Sequence, residues 1–273
     1  MGFLMAVLLV LPLLFFADKD IQGANTQSSS QLKNTGVFLV GEELIYEVSY
    51  LGIGIGKVRI KTTKVHNDEF GTSYSTIAYM DSYEGIPFVN LHQTYESKVH
   101  EDYYSLYFRG TVKEVEFPST TEYFYDFNNE KVRVLRKSTT TPEVWIDTTL
   151  ALRKGIQDGL SILFYARGWA GTGKKVDAPC FVNDKLVSAK VQFPTKVGET
   201  DIDVLDYDIA VTKVFGSTDF VSVFGLTGDF EGYFSSDEAR IPIVAKLNVV
   251  IGSVKLELKQ WKRSGWTPPK STL

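Results

Sequence analysis

The sequence is poor in the side chains that most often form disulfides or bind metals. Cys180 is the single cysteine in 273 residues, so the chain can form no internal disulfide and no thiolate metal cluster. The three histidines, His66, His92 and His100, are not spaced as a helix or a strand would need to build a compact zinc site. We therefore expect no metal, and we expect Cys180 to be a small buried apolar side chain.

The chain also lacks an excess of basic charge. Lys and Arg number 29 against 33 Asp and Glu, which gives a formal net charge of -4 and a pI near 5.5. Domains that bind nucleic acid usually carry a clear basic patch, so nucleic acid is not the expected partner. The 44% of apolar residues are enough to build a core, which excludes disorder of the whole chain.

Motifs for nucleotide binding and for hydrolysis are incomplete. Residues 168–175 read GWAGTGKK, but Lys175 stands where the phosphate loop needs Ser or Thr, and the following VDAPCFV is not helical. Ser161 lies in GLSIL, which lacks the second glycine of the GxSxG nucleophile motif. We therefore expect a protein that is not an enzyme and that uses no nucleotide and no cofactor.

A long apolar run occurs at the amino terminus. Residues 3–17 read FLMAVLLVLPLLFFA without a charge, a length that suits a signal peptide and falls short of a membrane-spanning helix. We predict a signal peptide over residues 1–24, a flexible lead-in over 25–40 and export, with the periplasm as the destination. An uncleaved membrane anchor is the alternative.

Beyond Gly41, apolar and polar side chains alternate with a period of two. In KVRIKTT, for example, Val58 and Ile60 alternate with lysine and arginine, and SVKLELK at residues 253–259 repeats the pattern. One wet and one dry face is typical of antiparallel sheets. We predict an all-β fold, a large curved antiparallel sheet or open barrel, as a single domain over residues 41–262 with an irregular tail over 263–273.

One segment departs from this alternation. Asp158 is suited to cap a short helix over about residues 158–167, and Gly168 is suited to follow its end. We expect this helix to pack against the concave side of the sheet, between two β-rich halves.

Two features leave alternatives open. Asp201, Asp203, Asp206 and Asp208 supply the oxygen ligands that calcium prefers, but without the spacing of an EF-hand loop, and a solvated face is the simpler interpretation. Aromatic residues are also dense in one part of the chain, and they would either fill the core or line a pocket for an apolar or glycan ligand. They are Tyr95, Tyr103, Tyr104, Tyr107, Phe108, Tyr123, Phe124, Tyr125 and Phe127.

Three stretches of the chain together resemble a known bacterial family. They are GEELIYEVSYLGIGIGKVRI from Gly41, QDGLSILFYARG around the predicted helix, and the late SSDEARIPIVAKLNVVIGSVKLEL. Their motifs and order, from about Gly41 to Trp261, are similar to those of the family called domain of unknown function 3108. The resemblance implies an exported, β-rich protein, and no activity is agreed for the family.

The residues that match the family motifs are Asp158, Ser161, Arg167, Asp237 and Arg240. They would form a polar ligand-binding cluster, or they would act structurally, with Asp158 as a helix cap and Arg240 paired with an acid across a turn.

The leading functional hypothesis is a noncatalytic envelope protein that binds an apolar, lipid or glycan ligand or aids envelope assembly. Two alternatives remain: an envelope interaction protein without a small ligand, and a glycan hydrolase that depends on carboxylates.

Overall fold

The computed structural model describes residues 36–87, 90–113, 116–153, 155–182, 185–218, 220, 226–249 and 252–273. The predicted signal peptide and residues 25–35 of the predicted lead-in lie outside the described residues. Among the described residues, no helix is both long enough and apolar enough to span a membrane.

The all-β prediction is confirmed, because the described residues form one sheet of 15 strands and one helix. The helix is α1 (Ser161–Trp169). The strands are β1 (Glu43–Tyr50), β2 (Ile53–Asp68), β3 (Gly71–Ser82), β4 (His92–His100), β5 (Ser105–Val112), β6 (Ser119–Asp126), β7 (Lys131–Ser138), β8 (Val144–Ala151), β9 (Lys175–Val182), β10 (Lys185–Gln192), β11 (Val197–Thr200), β12 (Ile209–Thr218), β13 (Leu226–Ser235), β14 (Pro242–Val249) and β15 (Ser253–Lys262).

The strand order is β8-β7-β6-β5-β4-β3-β2-β1-β15-β14-β13-β12-β10-β9, with β11 paired to β12. The strand pairs are antiparallel, and the first strand is joined to the last, with Glu43 opposite Lys262. Strands β1, β3, β5, β7, β9, β12 and β14 therefore finish at one end of the sheet, which we call the tip end. The pair β1–β15 is also the junction between the two halves of the sheet.

The sheet curves around α1, which packs against both halves. On one side, Leu160 and Phe164 pack with strands β3 to β7 and with Phe181 of β9. On the other side, Ala166 and Trp169 pack with β9, β10, β12 and β13. The backbone of Gln157 pairs with β9 through two hydrogen bonds of 2.8 and 2.7 Å, so the chain leading into the helix covers that edge.

The concave face is filled with aromatic rings. Phe38 stacks on Tyr74, Tyr103 and Phe164, with ring centroids 4.3, 5.6 and 5.0 Å apart. A second series contains Tyr95, Phe108, Tyr123 and Phe181, and all four rings are buried. Of the two interpretations of the aromatic residues, the structure favours a packed core over a ring-lined pocket.

Two details differ from the sequence-based expectation. The helix begins at Ser161 and ends at Trp169, so Gly168 lies inside it. The predicted lead-in ends earlier than residue 40, because Val37 and Phe38 are part of the core. The acidic segment 201–208 is a loop between β11 and β12, in which the backbone N–H of Leu205 donates to the carbonyl of Ile202 and the Ile202 side chain is buried in the core.

Candidate functional site

The amino-terminal end of α1 is held by a buried carboxylate. Oδ1 of Asp158 accepts hydrogen bonds from the backbone N–H groups of Leu160 and Ser161, both at 2.7 Å. Oδ2 accepts hydrogen bonds from the hydroxyls of Ser97, at 2.6 Å, and Ser105. Because the carboxylate satisfies free donors of the first helical turn and ties them to β4 and β5, Asp158 fixes where the helix starts.

Burial controls the ionisation of this group. Loss of water contact raises the pKa of Asp158, although the hydrogen bonds from Ser105, Ser97 and the helix backbone act in the opposite direction. Burial and the charge of Asp158 together raise the pKa of Tyr125 well above its usual value. Burial also raises the pKa of the Cys180 thiol to about 12, so the thiol behaves as the inert apolar side chain that its isolation in the sequence predicts.

The raised pKa of Asp158 gives a testable dependence of stability on pH. A raised pKa means that the folded protein binds the proton more tightly, so the contribution of Asp158 is largest below pH ~4 and is lost as pH rises through the folded pKa. Asp158→Asn does not titrate. The difference in unfolding free energy between wild type and Asp158→Asn should therefore shrink with rising pH, by up to about 1.4 kcal/mol per pH unit. Urea denaturation at a series of pH values measures it.

Asp147→Asn provides the opposite control. Hydrogen bonds from Arg133 lower the pKa of Asp147, so here the advantage of the wild type should grow as pH rises. A difference for Asp158→Asn that is constant or that grows with pH would contradict the assignment.

The carboxyl-terminal half of α1 carries a fully buried ion pair. Nη1 and Nη2 of Arg167 donate to Oε1 and Oε2 of Glu42 at 2.7 and 3.1 Å, and both side chains are at most 2% exposed. The Nε and Nη2 groups of Arg167 also donate to the carbonyl of Ala239, at 3.3 and 3.0 Å. The pair thus joins the helix to the start of β1 and to the β13–β14 connection.

A second arginine completes this network. Arg263, in the segment that follows β15, donates to Glu42 Oε2 and to the carbonyl of Gly36. Glu42 therefore lies between two guanidinium groups, which supply the hydrogen bonds that a buried carboxylate needs.

The β13–β14 connection is a tight polar turn. Asp237 Oδ1 accepts from Ser235 Oγ at 2.8 Å and from the backbone N–H groups of Ala239 and Arg240 at 3.1 and 3.2 Å. Its Oδ2 accepts from Trp266 Nε1 at 2.6 Å. These bonds hold Arg240 in a left-handed backbone conformation, with φ of 46°, which is unfavourable for a side chain of this size.

Arg240 caps the carboxyl-terminal end of the helix. Its Nη1 donates to the carbonyls of Gly168 and Arg167, at 2.6 and 3.4 Å. The predicted pairing of Arg240 with an acid is therefore wrong within the described part of the chain. The physical reason is that the last carbonyls of a helix lack partners and carry partial negative charge, so they attract the guanidinium themselves.

A cleft of about 250 Å³ opens beside this cap. It lies where the end of α1 meets β12 and the turn after β13. Its polar lining consists of Thr195, Thr212, Ser235, Ser236, Asp237, Glu238 and Arg240. Both oxygens of Asp237 are already bonded within the protein, whereas the described hydrogen bonds of the Arg240 side chain involve Nη1 alone. The guanidinium therefore offers further donors to a bound molecule.

The structure thus divides the residues singled out in the sequence. Arg167, Asp237 and Arg240 come together at the carboxyl-terminal end of α1, and Asp158 with Ser161 lies at the other end. Sequence reasoning missed Glu42, although it stands in the family-like motif GEELIY and directly precedes a strand. It also missed Arg263 and Trp266, which lie in the tail predicted to be irregular.

The four aspartates of the acidic loop do not form a metal site. Lys259 Nζ lies 2.7 Å from Asp203 Oδ2. Among the described residues, no group of three or more acidic, histidine or cysteine side chains is arranged to hold a metal ion. Asp201, Asp203, Asp206 and Asp208 are all exposed to solvent.

One solved structure supports this architecture. The fold is similar to that of a β-barrel-like protein of domain of unknown function DUF1849 from Brucella abortus, with a TM-score of 0.53 and 14% identity, over 81% of this chain and 96% of that chain. A protein with a YmcC-like fold from Bacteroides fragilis gives a TM-score of 0.39 at 7% identity, over 82% and 97% of the two chains. No curated protein matches the chain.

The Brucella protein shares the fold with this chain, and its low identity limits the comparison to the fold. The family comparison covers most of the chain, since residues 45–259 match the model described as Protein of unknown function (DUF3108). This range contains β2 to β14, the helix and the turn at Asp237, in agreement with the resemblance that the three sequence stretches carry. The chain belongs to the DUF3108 family of proteins of unknown function.

Proposed function

We propose that the chain is a noncatalytic protein of the periplasm that binds a glycan in the cleft at the carboxyl-terminal end of α1. The observation that carries the proposal is the lining of this cleft, which combines hydroxyl groups, carboxylates and a guanidinium on a rigid framework. Sugars are recognised by such mixtures of donors and acceptors. Its volume is just below the roughly 300–1,000 Å³ of small-molecule sites, so it suits one sugar ring.

Two further observations support this reading over its competitors. The aromatic rings fill the concave face, which leaves that face no space for a large apolar ligand. In the cleft, both oxygens of Asp237 are occupied by hydrogen bonds within the turn, as expected of a structural carboxylate rather than a proton donor or nucleophile. The periplasmic location rests on the apolar leader at residues 3–17.

Ligand-detected NMR with a set of neutral, N-acetylated and acidic mono- and disaccharides tests the binding. We expect transfer of saturation to at least one sugar. Thr195→Trp should abolish it, because this exposed side chain lines the cleft and an indole there fills the space. Thr139→Trp, at an exposed position outside the cleft, should leave it unchanged.

Binding to none of the sugars, or equal binding by both tryptophan variants, would refute the cleft as a glycan site. The chain would then be better explained as an envelope interaction protein without a small ligand. Cell fractionation tests the location separately, because recovery of the protein with the intact leader in the cytosol would contradict it.

A further inference from the structure

Several apolar side chains are exposed to water at the tip end of the sheet. In the β1–β2 turn, Leu51 is 81% exposed, and Ile53 is 65% exposed. At the same end, Phe117 and Val144 are 62% and 53% exposed. The ring of Phe117 packs edge-on against Trp145, with centroids 6.4 Å apart. We call these five residues the apolar tips.

The β1–β2 turn combines an exposed apolar side chain with an unfavourable backbone. Leu51 and Gly52 have φ angles of 50° and 81°, as in the two-residue turns that favour Asn-Gly. A leucine in the left-handed region is unfavourable, and an exposed leucine gains nothing from burial. A turn built for stability alone would not contain it. Local strain of this kind is often found where the side chain has a function.

The side chains become more polar with distance from this turn along the strands. Residues 48–56 contain no charge. Tyr50 and Tyr83 lie just behind the turn, and Lys57 Nζ is 5.6 Å from the centre of the Tyr83 ring. On the neighbouring strand β15, Lys255 lies opposite Ser49, which is two residues before Leu51. At the rise of a strand, two residues correspond to about 7 Å. Behind the tyrosines the charges are mixed, because Glu47 lies opposite Lys57 and Glu257 pairs with Lys255. Apolar tip, tyrosine rings and charged side chains thus follow the order of acyl chains, interface and headgroups in a membrane leaflet.

We propose that the tip end docks on the surface of a lipid bilayer, with Leu51 and Ile53 entering the acyl region. The β1–β2 turn and the β7–β8 turn are six strand spacings apart, about 29 Å along the sheet. One lipid surface can contact both. Each tip alone offers two or three side chains, far fewer than the roughly 20–30 residues that a protein interface uses on each side.

A fluorophore at the tip tests this docking. In Ile53→Cys, an environment-sensitive dye such as NBD can be attached to the new thiol, because Cys180 is buried and its raised pKa keeps it unreactive. The control is Phe70→Cys, an exposed apolar position in the β2–β3 turn at the opposite end. Vesicles of phosphatidylethanolamine with a minority of phosphatidylglycerol should shift the emission to the blue at position 53 and not at position 70. Spin-labelled acyl chains should quench the dye at position 53.

The comparison of the two dye positions controls for binding of the apolar residues 3–17 to the vesicles, because such binding would affect both labelled proteins alike. Adding Leu51→Asn to the protein labelled at position 53 should weaken vesicle partitioning about tenfold or more, because the buried leucine is lost. It should leave resistance to urea equal or higher, because Asn favours the left-handed turn. Val65→Asn, an exposed position away from the tips, should partition like its parent.

Three results would overturn the proposal. They are an unchanged emission at position 53 with vesicles, equal shifts at positions 53 and 70, and unaltered partitioning of Leu51→Asn. Each leaves the glycan cleft untouched, because the cleft lies at the end of α1 and shares no residue with the apolar tips.

Discussion

Replacing Arg167 with methionine is expected to lower the free energy of unfolding by about 3–5 kcal/mol. Methionine fills similar space, so the loss comes from electrostatics and hydrogen bonding rather than from a cavity. Glu42 would keep only Arg263 as its charged partner, and the carbonyl of Ala239 would lose two donors, all in a region sealed from water. Urea denaturation followed by circular dichroism measures the change.

A surface pair provides the matched control. Arg133 and Asp147 also form two hydrogen bonds, but both side chains are about half exposed, so Arg133→Met should cost less than about 1 kcal/mol. The double change Glu42→Leu with Arg167→Met should be less destabilising than the sum of its parts, because no lone carboxylate remains. Equal midpoints for Arg167→Met and Arg133→Met would show that the buried pair is not a principal link between helix and sheet.

Gly168→Ala is expected to lower the free energy of unfolding by about 2 kcal/mol or more, against the general preference of helices for alanine. A Cβ atom at this position would lie 2.3 Å from Cε2 and 2.5 Å from Cδ2 of Tyr103. The ring cannot move aside easily, because Tyr103 is buried, stacks near Phe38 and sits in a turn with φ of 67°. The measurement is again urea denaturation.

A double-mutant cycle separates this clash from any general effect of the substitution. In a Tyr103→Ala background the ring is gone, so Gly168→Ala should become neutral or stabilising. Gly198→Ala in β11, where no atom lies within 4 Å of the added Cβ, is the control and should change stability little. A loss from Gly168→Ala that persists without the Tyr103 ring would contradict the close approach of helix and ring.

The fold is readable from the sequence because strand alternation is a local property. Val58 and Ile60 point to one face whatever strand lies beside them, so the sheet and its wet and dry faces follow from the pattern. The end of the helix depends on distant contacts. Gly168 has the chemistry of a helix terminator, but the ring of Tyr103 requires a glycine inside the helix at the point of closest approach.

The candidate site was only partly predictable for the same reason. Asp158 acts on backbone groups two and three residues away, and a local rule identifies it. The partner of Arg167 is 125 positions away in the chain, and the partners of Arg240 are carbonyls, which no sequence pattern marks. The sequence gives only a weak indication that Glu42 is important, namely its position in a family-like motif directly before an apolar strand.

The junction of β1 with β15 has a consequence for biosynthesis. Glu43 meets Lys262 only after β15 has left the ribosome, and β15 is the strand that joins the two halves. Until then β1 and β14 each present an open edge to which other nascent chains can add. Closure of the sheet at this junction is therefore expected to be late, and slow because of the sequence distance that it must bridge.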